Sequence, residues 1–120
     1  MGPMTTVLIV DDHGSFRASA RALLEAEGYE VVGEAADGAN AVTEARRLRP
    51  DVVLLDVQLP DMTGFEVAER LAADGDSPQV ILTSSREACD YGELVDQSPA
   101  RGFIPKDQLS AGALAELLDA

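Results

Sequence analysis

Short aliphatic runs alternate along this chain with stretches of helical period. Val7-Leu8-Ile9-Val10 is continuously apolar, and Phe16, Ala20, Leu23 and Leu24 follow at i, i+4, i+7 and i+8. That spacing puts one apolar stripe on a helix, and Gly28 supplies a stop signal behind it. Tyr29–Val32 predicts a second strand. Asp37 is placed to cap a helix whose buried side comprises Ala41, Val42, Ala45 and Leu48, and Pro50 prevents its continuation. Val52–Leu55 predicts the third strand. Thr63-Gly64-Phe65-Glu66 has the spacing of a capping box, opening a helix that buries Phe65, Ala68, Leu71 and Ala72. Gln79–Leu82 and Arg101–Pro105 predict the fourth and fifth strands, and Ser110 caps a last helix burying Leu114, Leu117 and Leu118. Between those two strands the pattern is poor. Ala88–Gln97 contains Gly92 and is ended by Ser98-Pro99, so only a short, frayed helix is expected there.

Strand–helix alternation of this kind predicts a parallel sheet covered on both faces, and continuous aliphatic strands agree with burial from both sides. Pro105 cannot donate a ladder hydrogen bond, which suits an edge strand. The expectation is one α/β domain, an open doubly wound sheet of five strands with about five helices.

The 120 residues fit one compact domain, and the apolar and charged fractions, 46 % and 26 %, are ordinary for a globular protein. No apolar run approaches the roughly 18–20 residues that cross a bilayer. The start carries neither a basic segment nor a signal-length apolar run, so neither export nor a membrane role is expected. Met1-Gly2-Pro3 ahead of Met4 has the look of a cloning remnant, which leaves 4–120 as the domain. A single cysteine, Cys89, excludes an internal disulfide and fits a reducing cytoplasm. The net charge of −13 repels phosphate backbones, so nucleic-acid binding by this domain alone is disfavoured. The one basic cluster, Arg46-Arg47-Arg49, falls in the last turn of a predicted helix, where the helix dipole favours cations whether or not a partner docks.

The apolar runs end on polar residues. The first leads into Asp11-Asp12, the third into Asp56, the fourth into Thr83-Ser84 and the fifth into Lys106. Parallel strands share their carboxyl edge, where open α/β sheets hold their ligands. Three carboxylates, two hydroxyls and one ammonium therefore converge there. Carboxylates a few ångströms apart repel unless something neutralises them, and a hard divalent cation with oxygen ligands, magnesium above all, is the natural partner. Thr83 and Lys106 could each hold a phosphoryl oxygen, so the set makes sense as an acyl-phosphate site. Other readings stand beside this one. Asp11 and Asp12 could cap the first helix, Thr83 and Ser84 could cap another, and Lys106 could be a surface lysine. His13, the only histidine, is read as structural, Cys89 as inert, and Met62 as gap-filling.

The segments Val7–His13 (VLIVDDH), Val52–Gly64 (VVLLDVQLPDMTG), Val80–Ser85 (VILTSS) and Gly102–Asp107 (GFIPKD) resemble the response-regulator receiver family from about Val7 to Leu118. The DDH start and the KD pair resemble the NarL/FixJ-type subgroup most. The resemblance implies a flavodoxin-like sheet of strand order 2-1-3-4-5. It implies Asp56 as phospho-acceptor, Asp12 and Asp56 as direct ligands of Mg2+ or Mn2+, Asp11 acting mainly through metal-bound water, and the Gln58 backbone carbonyl as a further ligand. It makes Thr83 the switch hydroxyl, Lys106 the phosphate-pairing lysine and Phe103 the aromatic that reorients, with Ser84 in a supporting place. A sensor histidine kinase or phosphotransfer protein is the implied donor. A homodimer through the last helix and fifth strand is an implied readout, and transcription the implied output. The chain is expected not to be an enzyme beyond phosphotransfer to its own Asp56 and slow self-dephosphorylation.

Some positions depart from the family pattern. His13-Gly14 replaces a frequent His-Pro, and Asp107 follows Lys106 where many receivers have proline, so no cis bond is expected there. Cys89–Pro99 lacks the usual Ala-Gly-Ala run. Two rival functions remain. A phosphorylation-independent receiver-like interaction module would typically have lost some of the acidic pair, Asp56, Thr83 or Lys106. A haloacid-dehalogenase-type phosphatase needs an aspartate where Gln58 stands. NarL/FixJ-type regulators usually continue into a DNA-binding domain, so an absent or removed effector domain is expected.

Overall fold

The computed structural model describes residues 5–75 and 77–119. Met1-Gly2-Pro3, read above as a cloning remnant, lies outside them. The strands are β1 (Thr6–Val10), β2 (Glu30–Ala35), β3 (Val52–Asp56), β4 (Gln79–Ser84) and β5 (Gly102–Pro105). The helices are α1 (Gly14–Ala26), α2 (Gly38–Leu48), α3 (Gly64–Ala72), α4 (Leu94–Gln97) and α5 (Ala111–Asp119), with short 3-10 turns at Ala88–Tyr91 and Lys106–Gln108. All pairings are parallel and the order is β2-β1-β3-β4-β5, as the resemblance implied.

Because side chains alternate across a strand, each aliphatic run feeds both faces of the sheet. Val7, Ile9, Val52, Leu54 and Ile81 pack beneath Ala20 and Leu24 of α1 and Leu114 and Leu118 of α5. Leu8, Val10, Val53, Leu55, Val80 and Leu82 meet Ala41, Val42 and Ala45 of α2 and Val67, Ala68 and Leu71 of α3. With both faces covered, the strands have no need of polar alternation.

The expected caps on α2 and α5 form: Asp37 accepts from Asn40 N–H at 2.8 Å and Ser110 from Ala113 N–H at 3.0 Å. At α3 only the forward half of the expected capping box forms. Thr63 accepts from Glu66 N–H, while the Glu66 carboxylate lies 3.8 Å from Arg70 on the next turn. The buried stripe of α3 is also shifted. Gly64, Val67, Ala68 and Leu71 are buried, Phe65 is half-buried, and Ala72 is exposed. The helix ends at Ala72, so its last residue has no neighbouring turn to hide against. Strand β2 runs three residues beyond the predicted Val32, to Ala35. Its polar end is held from outside, because Arg17 and Arg21 of α1 both pair with Glu34. Helix α1 begins at Gly14 despite the missing proline. The poor signal over Ala88–Gln97 corresponds to a 3-10 turn and a four-residue α4, separated at Gly92 with φ of 59°.

Candidate functional site

The four polar strand endings meet at one edge. Asp56 closes β3 and is paired in register with Thr83 of β4, while Lys106 follows β5 directly. Asp11 and Asp56 are buried, their side chains 0 % and 4 % exposed, whereas Asp12 retains 36 %. Lys106 Nζ reaches between the two buried carboxylates, 2.6 Å from Asp11 Oδ2 and 3.6 Å from Asp56 Oδ2. It also lies 4.6 Å from the centre of the Phe16 ring, whose negative face favours a cation. The surface-lysine reading fails on this burial and pairing.

One lysine does not neutralise the cluster. Burial first, then the charge of Asp11, pushes the Asp56 carboxyl up to about 6, against the opposing pull of Lys106 and of the Gln58 N–H. Ligand atoms of Asp11, Asp12, His13 and Asp56 all lie within 4.8 Å of one another. Clustered hard oxygen donors with unrelieved negative charge fit a divalent cation such as magnesium or manganese. His13 Nδ1 stands 3.1 Å from Asp11 Oδ1 and 3.0 Å from Asp12 Oδ1. The histidine read as structural thus touches both members of the acidic pair through a side chain that is 67 % exposed. Asp11 Oδ1 accepts from His13 N–H at 2.8 Å, a local turn ahead of α1; the alternative helix cap does not form, because the N-cap is His13 and no side chain caps it.

Thr83 Oγ1 is the informative atom on the other side. It is buried and has no hydrogen-bond partner among the described residues. A buried hydroxyl left so costs about 1–3 kcal/mol, which an incoming acceptor would recover. Ser84, expected as a supporting hydroxyl, is engaged elsewhere: Oγ lies 2.6 Å from Tyr91 OH and accepts from Arg86 N–H at 3.1 Å. Phe103 is half-buried and its ring centre lies 5.9 Å from that of Tyr91, which in turn meets Phe65 edge-on at 5.6 Å. Gln58 N–H donates to Asp56 Oδ1 at 3.3 Å, and Gln58 forms an isolated bridge with Thr63 across the loop. Cys89 is free and exposed, and Met62 is packed against Gly38.

Sequence reasoning passed over Arg17 and Tyr91. Arg17 Nη1 donates to the Asp11 carbonyl at 2.6 Å, fastening the acidic loop to α1. Tyr91 joins Ser84 to the Phe65–Phe103 pair from a segment whose pattern is poor. Neither carries a local signal, because each acts through a contact that spacing along the chain does not reveal.

Comparison with known proteins agrees with this geometry. The family model of the response regulator receiver domain matches residues 7–119, and the chain belongs to that family. The nitrate/nitrite response regulator protein NarP of Escherichia coli K12 is 45 % identical over 103 residues, covering 84 % of this chain and 47 % of that protein. A putative transcriptional regulator of Pseudomonas aeruginosa is 36 % identical over 115 residues, 96 % of this chain and 54 % of its own. The signal receiver domain of the putative response regulator NarL from Mycobacterium tuberculosis superposes with a TM-score of 0.86 at 34 % identity, covering 98 % of this chain and 96 % of that one. These relatives are consistent with the NarL/FixJ-type subgroup. The chain spans about half the length of the curated relatives it matches. No helix among the described residues is long and apolar enough to cross a membrane.

Proposed function

We propose that this receiver accepts a phosphoryl group on Asp56 from the phosphohistidine of a sensor histidine kinase or phosphotransfer protein, in the cytoplasm, and passes the change on to a transcriptional output. The observation that carries this reading is the meeting of Asp11, Asp12, Asp56, Thr83 and Lys106 at one sheet edge, with the Thr83 hydroxyl lacking a partner. An Asp56 carboxylate oxygen attacks phosphorus, the phosphorus–nitrogen bond of the donor breaks, and the imidazole leaves with the bonding pair. Asp11, Asp12, Asp56 and the Gln58 carbonyl would hold Mg2+ or Mn2+, which when bound shields the phosphoryl oxygens from the carboxylates.

Lys106 pairs with a phosphoryl oxygen from its place beside Asp56, and Thr83 Oγ1 donates to another. The added charge of about −2 draws Thr83 inward, and Phe103 follows. Phosphorylation then shifts a pre-existing equilibrium of the β5–α5 surface, through which a homodimer could form. Self-phosphotransfer and slow self-hydrolysis are the only chemistry assigned to this domain. Nucleic acid and membrane have no part in it.

Intact-mass measurement after incubation with Mg2+ and acetyl phosphate tests the reading. One added phosphoryl mass is expected, not gained when the metal is chelated before acetyl phosphate is added, and absent from Asp56→Asn. An unchanged mass returns the chain to the phosphorylation-independent interaction modules, and a mass that Asp56→Asn still gains removes Asp56 as the acceptor.

A further inference from the structure

Asp61, in the loop between β3 and α3, plays no part in the chemistry set out above. Its carboxylate nevertheless reaches out of its own loop: Oδ1 accepts from Gly38 N–H at 2.7 Å and Oδ2 from Ala39 N–H at 3.0 Å. These are the first two amides of α2. The next, Asn40 N–H, is already served by Asp37. Gly38 is buried while Ala39 is exposed, so Asp61 satisfies one covered amide of α2 and, by the same two bonds, ties its own loop to that helix. Met62 closes the same junction, because a Cβ on Gly38 would collide with its side chain. The two N–H donors hold the Asp61 carboxyl below its ordinary range, so it is ionised at neutral pH.

The junction completes a circuit around the acidic cluster. Asp11 N–H donates to the Ala35 carbonyl at 3.0 Å, at the end of β2. From Ala35 the chain passes directly into α2, whose first amides grip Asp61. Asp61 in turn sits five residues beyond Asp56. The other ties of residues 57–63 point elsewhere: Val57 N–H donates to the Thr83 carbonyl on β4 at 2.9 Å, while Gly64 N–H to the Val57 carbonyl at 2.7 Å and the Gln58–Thr63 bridge lie within or next to the loop. Those ties shape the loop and hold its start to β4, but none of them reaches α2 or the Asp11–Asp12 loop; among the described residues Asp61 supplies the hydrogen bonds to that side.

We propose that Asp61 is a positioning residue that sets the divalent-cation affinity of the acidic cluster by holding the Asp56 loop at a fixed separation from the Asp11–Asp12 loop. The proposal rests on the reading of that cluster as a cation and phosphoryl site. Ligand sets of hard cations depend on such outer supports, and losing one typically weakens binding about 10–100-fold.

The test uses the whole chain and three variants, Asp61→Ala, Asp61→Asn and Leu118→Ala. Mn2+ binding is followed by the electron paramagnetic resonance signal of the free ion. The Mg2+ dependence of acetyl-phosphate labelling and the thermal midpoint are measured in parallel. Asp61→Ala is expected to bind Mn2+ about ten-fold more weakly, to raise the half-saturating Mg2+ by the same factor, and to reach the same labelling at saturation. Asp61→Asn keeps one acceptor oxygen and falls between. Leu118→Ala, which empties a buried position on α5, is expected to lower the thermal midpoint with metal affinity unmoved. Unchanged Mn2+ affinity in Asp61→Ala overturns the proposal, as does an equal loss of affinity in Leu118→Ala. A wild-type chain that labels normally while Asp61→Ala is unshifted removes only the clamp. A wild-type chain that binds no Mn2+ and takes no label removes the clamp together with the function proposed above.

Discussion

On the β1–β3 side of the sheet's carboxyl edge, the loops are braced from outside. Arg17 holds the Asp11 carbonyl and Glu34, Arg21 adds a second grip on Glu34, and Asp61 ties the Asp56 loop to α2. On the β4–β5 side the bracing is sparse. Residues 85–100 are largely exposed, α4 is four residues long without a buried residue, and Leu94 is the one exposed large apolar side chain among the described residues, at 51 %. Tyr91 is the main tie there, through Ser84 and the two phenylalanines, and the Thr83 hydroxyl has no hydrogen-bond partner among the described residues. One side fixes carboxylates where charge must be placed. On the other, few contacts hold residues 85–100, and under the function proposed above that would let Thr83 and Phe103 take a second arrangement. A switch needs both. A site loose on every side would lose affinity, and one braced on every side would transmit nothing.

The widest gap between the two sides should appear in their leucines. Leu71 on α3 is 1 % exposed and packs in the core behind the braced loop. Leu71→Ala is expected to cost about 2–5 kcal/mol in urea unfolding, whereas Leu94→Ala should stay within about 0.5 kcal/mol. Equal losses would mean that residues 85–100 are as firmly packed as α3, and the contrast would go.

The two glycines that flank these regions sharpen the point. A Cβ on Gly64 would collide with the Asp56 carbonyl oxygen and touch Val57 Cα at 3.0 Å, both backbone atoms that cannot swing aside. Gly64→Ala is therefore expected to cost about 1–3 kcal/mol and to slow labelling of Asp56. Gly92 has open space around it and only a φ of 59° to lose. Gly92→Ala should cost about 1–2 kcal/mol and leave the labelling rate unchanged.

The smallest effect concerns the brace at Glu34. Its carboxyl is held below the ordinary range by the Arg21 hydrogen bond first, with Arg17 adding to it against the cost of burial. A depressed folded-state value means stability that is present above the unfolded-state value and is lost as pH falls through the folded one. Glu34→Gln should accordingly be less stable than wild type by about 0.5–1 kcal/mol at neutral pH. The two curves should converge in acid once Glu34 is protonated. A difference that persists in acid would mean that shape, not charge, does the holding.

Much of this was legible along the chain, for a physical reason. Aliphatic runs such as Val52–Leu55 are buried on both faces, so composition alone marks them, and the parallel order brings their polar endings to one edge. Asp11, Asp12, Asp56, Thr83 and Lys106 were found that way. The errors fall where structure depends on distant partners. Strand β2 was expected to end at Val32 because nothing local shows that two arginines of α1 will hold Glu34. The buried side of α3 was placed one step off, including Ala72 and omitting Val67, since an apolar residue at a helix end satisfies the periodicity without having anything to pack on. Asp61 passed as an ordinary loop aspartate, because its meaning lies in two amides of α2.

Strand β5 ends in Pro105 at one margin of the sheet, and β2 at the other carries an irregularity, Val7 facing Val31 but Leu8 facing Gly33. A neighbouring copy trying to continue the ladder would meet a missing N–H on one side. On the other it would meet a kinked ribbon carrying exposed glutamates, Glu30 and Glu34. Such margins discourage runaway cross-β growth. Crowding many copies together, as a cell or a concentrated stock does, therefore steers self-association toward helical surfaces and away from fibres.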